Sequence, residues 1–84
     1  MTREEFLHAV RAESVRLDTF NLDNVGDECF VLAQSGYDWR VYYSERGLET
    51  SARHFATESD ALTYLLEELR AQKRRESQWG IDDR

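Results

Sequence analysis

The sequence predicts a small α+β domain, with an N-terminal helix, a three-stranded antiparallel meander and a long C-terminal helix packed on one sheet face. Three observations carry that expectation. Ala61, Leu62, Leu65, Leu66 and Leu69 recur at the spacing of one apolar helix face. Between Glu28 and Phe55, runs of β-branched and aromatic residues are separated by glycine-bearing turns. The chain has 84 residues, enough for one core and one domain, and 12% of them are aromatic, which supplies the burial that ordered structure needs.

The N-terminal helix is expected over about residues 3–14. Thr2 with Glu5 three positions later has the form of a capping box, and Phe6 and Val10 follow at helical spacing. The stretch from Val15 to Gly26 mixes Val15, Leu17, Phe20 and Leu22 with Asp, Asn and Thr. It admits a helix extension, a short edge strand, or both in turn. Glu28–Gln34 reads as the first strand, Ser35-Gly36 as a two-residue turn and Asp38–Ser44 as the second strand. Ser44–Gly47 forms the next turn, with Gly47 suited to positive φ, and Leu48–Phe55 is the third strand. Thr57 caps the last helix, expected from Glu58 to about Arg75, and residues 76–84 form a polar tail carrying Trp79 and Ile81.

A turn at Ser35-Gly36 pairs Leu32 with Trp39 and Phe30 with Val41. Phe30, Leu32, Trp39, Val41 and Tyr43 then share the face under the last helix, joined by Leu48, Thr50 and Ala52. The opposite face presents Cys29, Val31, Asp38, Arg40, Tyr42, Glu49, Ser51 and Arg53. Strict alternation sends Phe55 to that polar side, a conflict that a β-bulge near Arg53 resolves.

The net charge is −6, and its distribution is uneven. Residues 17–52 hold seven acids (Asp18, Asp23, Asp27, Glu28, Asp38, Glu45 and Glu49) against Arg40 and Arg46, a net of −5. Such a field repels nucleic acid and anionic lipid and speeds encounter with a basic partner. The short basic run Lys73-Arg74-Arg75 compensates a helix C-terminus and does not outweigh it. No stretch approaches the ~20 apolar residues of a membrane span. The N-terminal residues lack the apolar core of a signal peptide, and the single cysteine, Cys29, forms no internal disulfide, so a cytoplasmic setting is expected.

Catalytic chemistry finds little support. Cys29 is the only thiol and His8 and His54 the only imidazoles, and alternation places Cys29 and His54 on opposite faces. No ligand spacing suggests a metal, and Gly26, Gly36, Gly47 and Gly80 are isolated turn residues, not a phosphate-binding loop. No catalytic residue, metal or cofactor is expected. A protein interface is the better expectation. Tyr42 stands exposed among Asp38, Arg40, Glu45 and Glu49, an aromatic anchor in a charged rim.

At Trp39–Gly47, Phe55–Ala61 and Leu65-Leu66 the chain resembles small immunity proteins of bacterial polymorphic toxin systems, over about residues 37–70. The shared pattern is a Trp-x-Val-Tyr-Tyr strand, a Ser-Glu-Arg-Gly turn, a Phe closing the next strand and an acidic-capped helix. The resemblance implies a cytoplasmic protein that binds a cognate toxin and blocks it; together with the acidic middle segment and the Tyr42 rim, it leads to the expectation that acidic side chains occupy a basic, substrate-binding cleft of the toxin. It carries to Tyr42, Ser44, Glu45, Arg46 and Gly47. With the charge argument, the expected contact set is Asp38, Arg40, Tyr42, Ser44, Glu45, Arg46 and Glu49. The alternative is a homodimeric adaptor that pairs through its sheet face or an edge strand. The chain is expected to be a monomer or a weak homodimer.

Overall fold

A computed structural model of the chain describes residues 1–23, 26 and 28–82, with side chains as far as Arg75. The last helix does not end near Arg75 as expected but continues through Asp82, so residues 76–82 are helix and not a loose tail; the expectations about their side chains, Trp79 included, lie outside the described residues. The element order is α1 (Arg3–Ala12), a 3₁₀ turn (Leu17–Thr19), β1 (Phe20–Leu22), β2 (Cys29–Ser35), β3 (Asp38–Glu45), β4 (Leu48–Phe55) and α2 (Glu58–Asp82). The class is α+β, as the sequence predicts. The sheet is not the expected three-stranded meander. It has four strands in the order β1-β2-β3-β4, and β1 runs parallel to β2 while the other pairs are antiparallel.

The extra strand accounts for the ambiguous segment, which is a 3₁₀ turn and then an edge strand. Three residues with a central asparagine give too little alternation to register as a strand. Parallel neighbours ordinarily need a connection of about a dozen residues or more. Here residues 23–28 make the return. Asp23 (φ 72°) and Glu28 (φ 55°) take left-handed backbone at its two ends. Gly26 lies against the sheet. A Cβ there would stand 2.1 Å from Asn21 Nδ2 and 2.5 Å from Cys29 Sγ, so a side chain at 26 would displace those two groups.

The first hairpin turns at Gly36-Tyr37, not Ser35-Gly36, because Ser35 pairs with Asp38. Leu32 therefore faces Val41 and Phe30 faces Tyr43. The shift is two residues, an even number, so every side chain stays on its expected face. The second turn is Arg46-Gly47, with φ of 52° and 80°, the positive pair that matches the twist of a two-residue hairpin. The anticipated bulge is present slightly earlier than expected. Tyr43 pairs with Thr50 and Val41 with Arg53, so Tyr42 faces both Ser51 (φ 55°) and Ala52. The inserted residue brings Phe55 to the helix side, where its ring lies 5.1 Å from Tyr64. It also exchanges the expected faces of Arg53 and His54.

Both helices cover one face. Phe6 and Val10 of α1, Phe20 of β1, Leu32, Val41 and Ala61, Leu62, Leu65, Leu66 and Leu69 of α2 form the main core. Phe6 and Phe20 meet edge to face at 5.2 Å. The Thr2 hydroxyl accepts from the Glu5 amide and the Glu5 carboxylate from the Thr2 amide, so the capping box exists as expected. Arg3 ties α1 to both Asp23 and Glu58, and Arg70 of α2 grips Glu13 at the end of α1.

Candidate functional site

The outer sheet face is where the contact residues were expected, and the structure divides them. Tyr42 is 4% exposed and Ser44 3%, so neither is a surface anchor. Tyr42 belongs to a second small core with Cys29 and Val31, packed also against Ala33. Two things cover it. The return segment from β1 lays Gly26 over Asn21 and Cys29, and the Asn21 amide donates to Cys29 Sγ at 3.3 Å. From the other side the Arg40 guanidinium sits 4.9 Å from the Tyr42 ring centroid, a cation–π distance. Arg40 Nη1 donates to Glu49 Oε1 at 2.9 Å, which fixes that placement, while its Nε is buried without a partner. Arg40 is thus a lid on the aromatic ring, and Glu49 is the latch.

The remaining expected residues reach solvent. Asp38 is half-buried, with its carboxylate 3.5 Å from His54 Nδ1. Glu45, Arg46 and Glu49 are exposed around the β3–β4 turn. Asp38 pairs with Ser35 at the opposite end of the sheet from Glu45, so the seven residues do not form one patch. Sequence reasoning missed the largest apolar group at the turn. Leu48, expected under the last helix, is 68% exposed. It directly follows the two-residue turn, at the outermost rung of the edge strand, beyond Leu69, the last buried side chain of α2 among the described residues. The signal was available: a leucine beside a turn on an edge strand has a neighbouring strand on one side only.

The acidic middle segment is less bare than the sequence implies. Asp18 pairs with Arg16, Asp23 with Arg3 and Glu49 with Arg40. The hydrogen bonds from Arg3 hold the Asp23 carboxyl below the usual carboxylate range, and Arg16 does the same for Asp18. Among the described acids of that segment, Glu28 and Glu45 are exposed and stand outside every ion pair. Both lie at the sheet end where Leu48 projects, because Cys29 pairs with Ser44 and Glu45 with Leu48.

Two open grooves flank the outer half of α2. One, about 270 Å³, lies between Ser14–Thr19 and α2, with Leu69, Gln72 and Lys73 on its wall. The other, about 420 Å³, runs between α2 (Glu68, Gln72, Arg75) and the sheet (Phe30, Tyr43, Thr50, Ser51). Phe30 and Tyr43 make its floor, edge to face at 5.1 Å. Desolvation, and then the hydrogen bond to Glu68, raises the Tyr64 hydroxyl above its usual range beside this groove.

The bulge does bring Cys29 and His54 to the same face. Four rungs and two strands still separate them, about 16 Å at standard sheet spacings, so they do not form a nucleophile–base pair. No group of three or more His, Cys, Asp or Glu residues is gathered as for a metal among the described residues. No helix among them is long and apolar enough to cross a membrane. Compared with known proteins, the chain matches no protein-family model, no curated protein and no solved structure.

Proposed function

We propose that this chain is an immunity protein that binds a cognate bacterial toxin in the cytoplasm and blocks its basic substrate-binding cleft without catalysis. The observation that carries the reading is the β3–β4 tip. Leu48 projects there at 68% exposure, with Glu45 directly across from it and Glu28 at the same end of the sheet. An apolar anchor within an acidic rim suits a basic protein surface, since the apolar group gives contact area while the charges steer encounter and fix register. The resemblance of Tyr42–Gly47 to immunity proteins supports the same end of the molecule. Within that motif, Tyr42 and Ser44 serve as packing for the turn, and Glu45, with the neighbouring Leu48, meets the partner.

The test is co-expression with the toxin domain encoded beside this gene. The expected result is a purified complex and rescued growth. Leu48→Asp and Glu45→Lys should each lose protection while keeping the fold. No complex and no rescue by the unaltered chain would overturn the proposal.

A further inference from the structure

We propose that the groove between α2 and the β3–β4 hairpin receives the hairpin tip of a second copy of this chain, giving a reciprocal two-fold dimer. The argument starts from the reach of α2. Its 25 residues extend ~37 Å, against ~26 Å for the eight-residue strands β3 and β4. The helix runs back from Phe55 toward the hairpin tip, and among its described side chains the last buried one is Leu69. From Glu68 to Arg75 one wall of the helix therefore stands over sheet residues without closing on them, which leaves the 420 Å³ groove.

The groove and the tip belong to one continuous face. Tyr43 and Thr50 line the groove, and Glu45 and Leu48, two residues further along each strand, share their side of the sheet. That face carries an aromatic floor (Phe30, Tyr43), an aliphatic projection (Leu48), a helix wall with Arg75 toward the tip and Glu68, which accepts from the Tyr64 hydroxyl, further in, and an acid on the hairpin wall (Glu45). No ion pair joins Glu45 to Arg75 within the chain. A surface bearing both signs on opposite walls is repelled in part by a purely basic or purely acidic partner. Its own copy, turned by a two-fold, meets each wall with the opposite charge. In that arrangement Leu48 of each copy rests on Phe30 and Tyr43 of the other, and Glu45 of each faces Arg75 of the other.

The free edge of β4 is a poorer route to self-association. Ser51 and Ala52 form the bulge at its midpoint, and Ser51 has φ 55°, which interrupts the row of outward amides that edge pairing needs. The groove dimer does not depend on the toxin reading. It shares Leu48 and Glu45 with the proposed toxin surface, so toxin and second copy would compete.

Sedimentation velocity of the chain alone, from micromolar to millimolar concentration, tests the dimer without any toxin. The expected result is a weight-average sedimentation coefficient that rises with concentration. Glu45→Arg and Arg75→Glu should each weaken association about tenfold or more, and Leu48→Asp should do the same with an unchanged melting curve. A mixture of Glu45→Arg with Arg75→Glu restores both contacts at once and should associate as the unaltered chain does, as should the double variant. A concentration-independent monomer would overturn the proposal. So would a dimer indifferent to these changes, or a mixture that fails to recover.

Discussion

Replacing Tyr42 with alanine separates a packing role from a contact role at the residue that sequence reasoning places first in the interface. The ring is 4% exposed, lies with Val31 and Cys29, and supports the Arg40 guanidinium 4.9 Å above it. Truncating a buried aromatic costs about 3–5 kcal/mol, through lost transfer energy and the cavity left behind. The covering layer here is thin, a return segment on one side and one side chain on the other, so the site can partly collapse and the lower figure, about 3 kcal/mol, applies. A domain of this size loses roughly 4–8 °C of melting temperature per kcal/mol, so Tyr42→Ala should melt about 12–24 °C lower. Tyr42→Phe keeps the ring and the cation–π contact and should melt within about 8 °C of the parent, a loss of no more than about 1 kcal/mol. Circular dichroism at 222 nm against temperature gives both numbers, about 222 nm being the usual helix band. A Tyr42→Ala protein that melts within about 4 °C of the parent would refute the second core.

Two further substitutions test the segments that sequence pattern leaves open. Gly26→Ala places a methyl group 2.1 Å from Asn21 Nδ2 and 2.5 Å from Cys29 Sγ, so the Asn21 and Cys29 side chains must shift and their hydrogen bond is disturbed. Overpacking of this kind should destabilise by about 1–3 kcal/mol in urea titration, and a neutral result would mean the segment does not seat on the sheet. Arg3→Gln removes the guanidinium that hydrogen-bonds Asp23 and Glu58. Because Arg3 depresses the folded-state pKa of Asp23, its contribution is present above the unfolded value near about 4 and is lost as pH falls through the lower folded one. The pair is exposed enough that the effect stays under about 1 kcal/mol. The variant should therefore be less stable at neutral pH and lose less between about pH 4 and pH 2; parallel melting-temperature curves for the two proteins would contradict this.

Much of the architecture was legible because it rests on short-range periodicity. The capping box at Thr2 and Glu5 and the apolar stripe Ala61–Leu69 are local patterns, and local patterns fix helix faces. The faces of β2 and β3 survived a wrong turn position, since moving the turn from Ser35-Gly36 to Gly36-Tyr37 shifts the pairing by two. Even the bulge was implied, because Phe55 has no place on a solvated face; its position at Ser51-Ala52 depends on backbone dihedrals that composition does not encode.

Sequence by itself determined the class, the helix faces, the two hairpins and the segregation of acid into residues 17–52. Tertiary structure decided what those residues are available to do. The parallel strand β1 is three residues long, and its pairing with β2 and the seating of Gly26 against Cys29 leave no periodic trace in the sequence. Packing with Cys29 and Val31 under the Arg40–Glu49 latch turns Tyr42 from a surface group into a core one. Arg3 and Arg16 neutralise acids that one-dimensional counting treats as bare. The same packing leaves Leu48 uncovered beside Glu45, because burial depends on which elements happen to lie over a residue, and an alternation pattern specifies only the side of the sheet it faces.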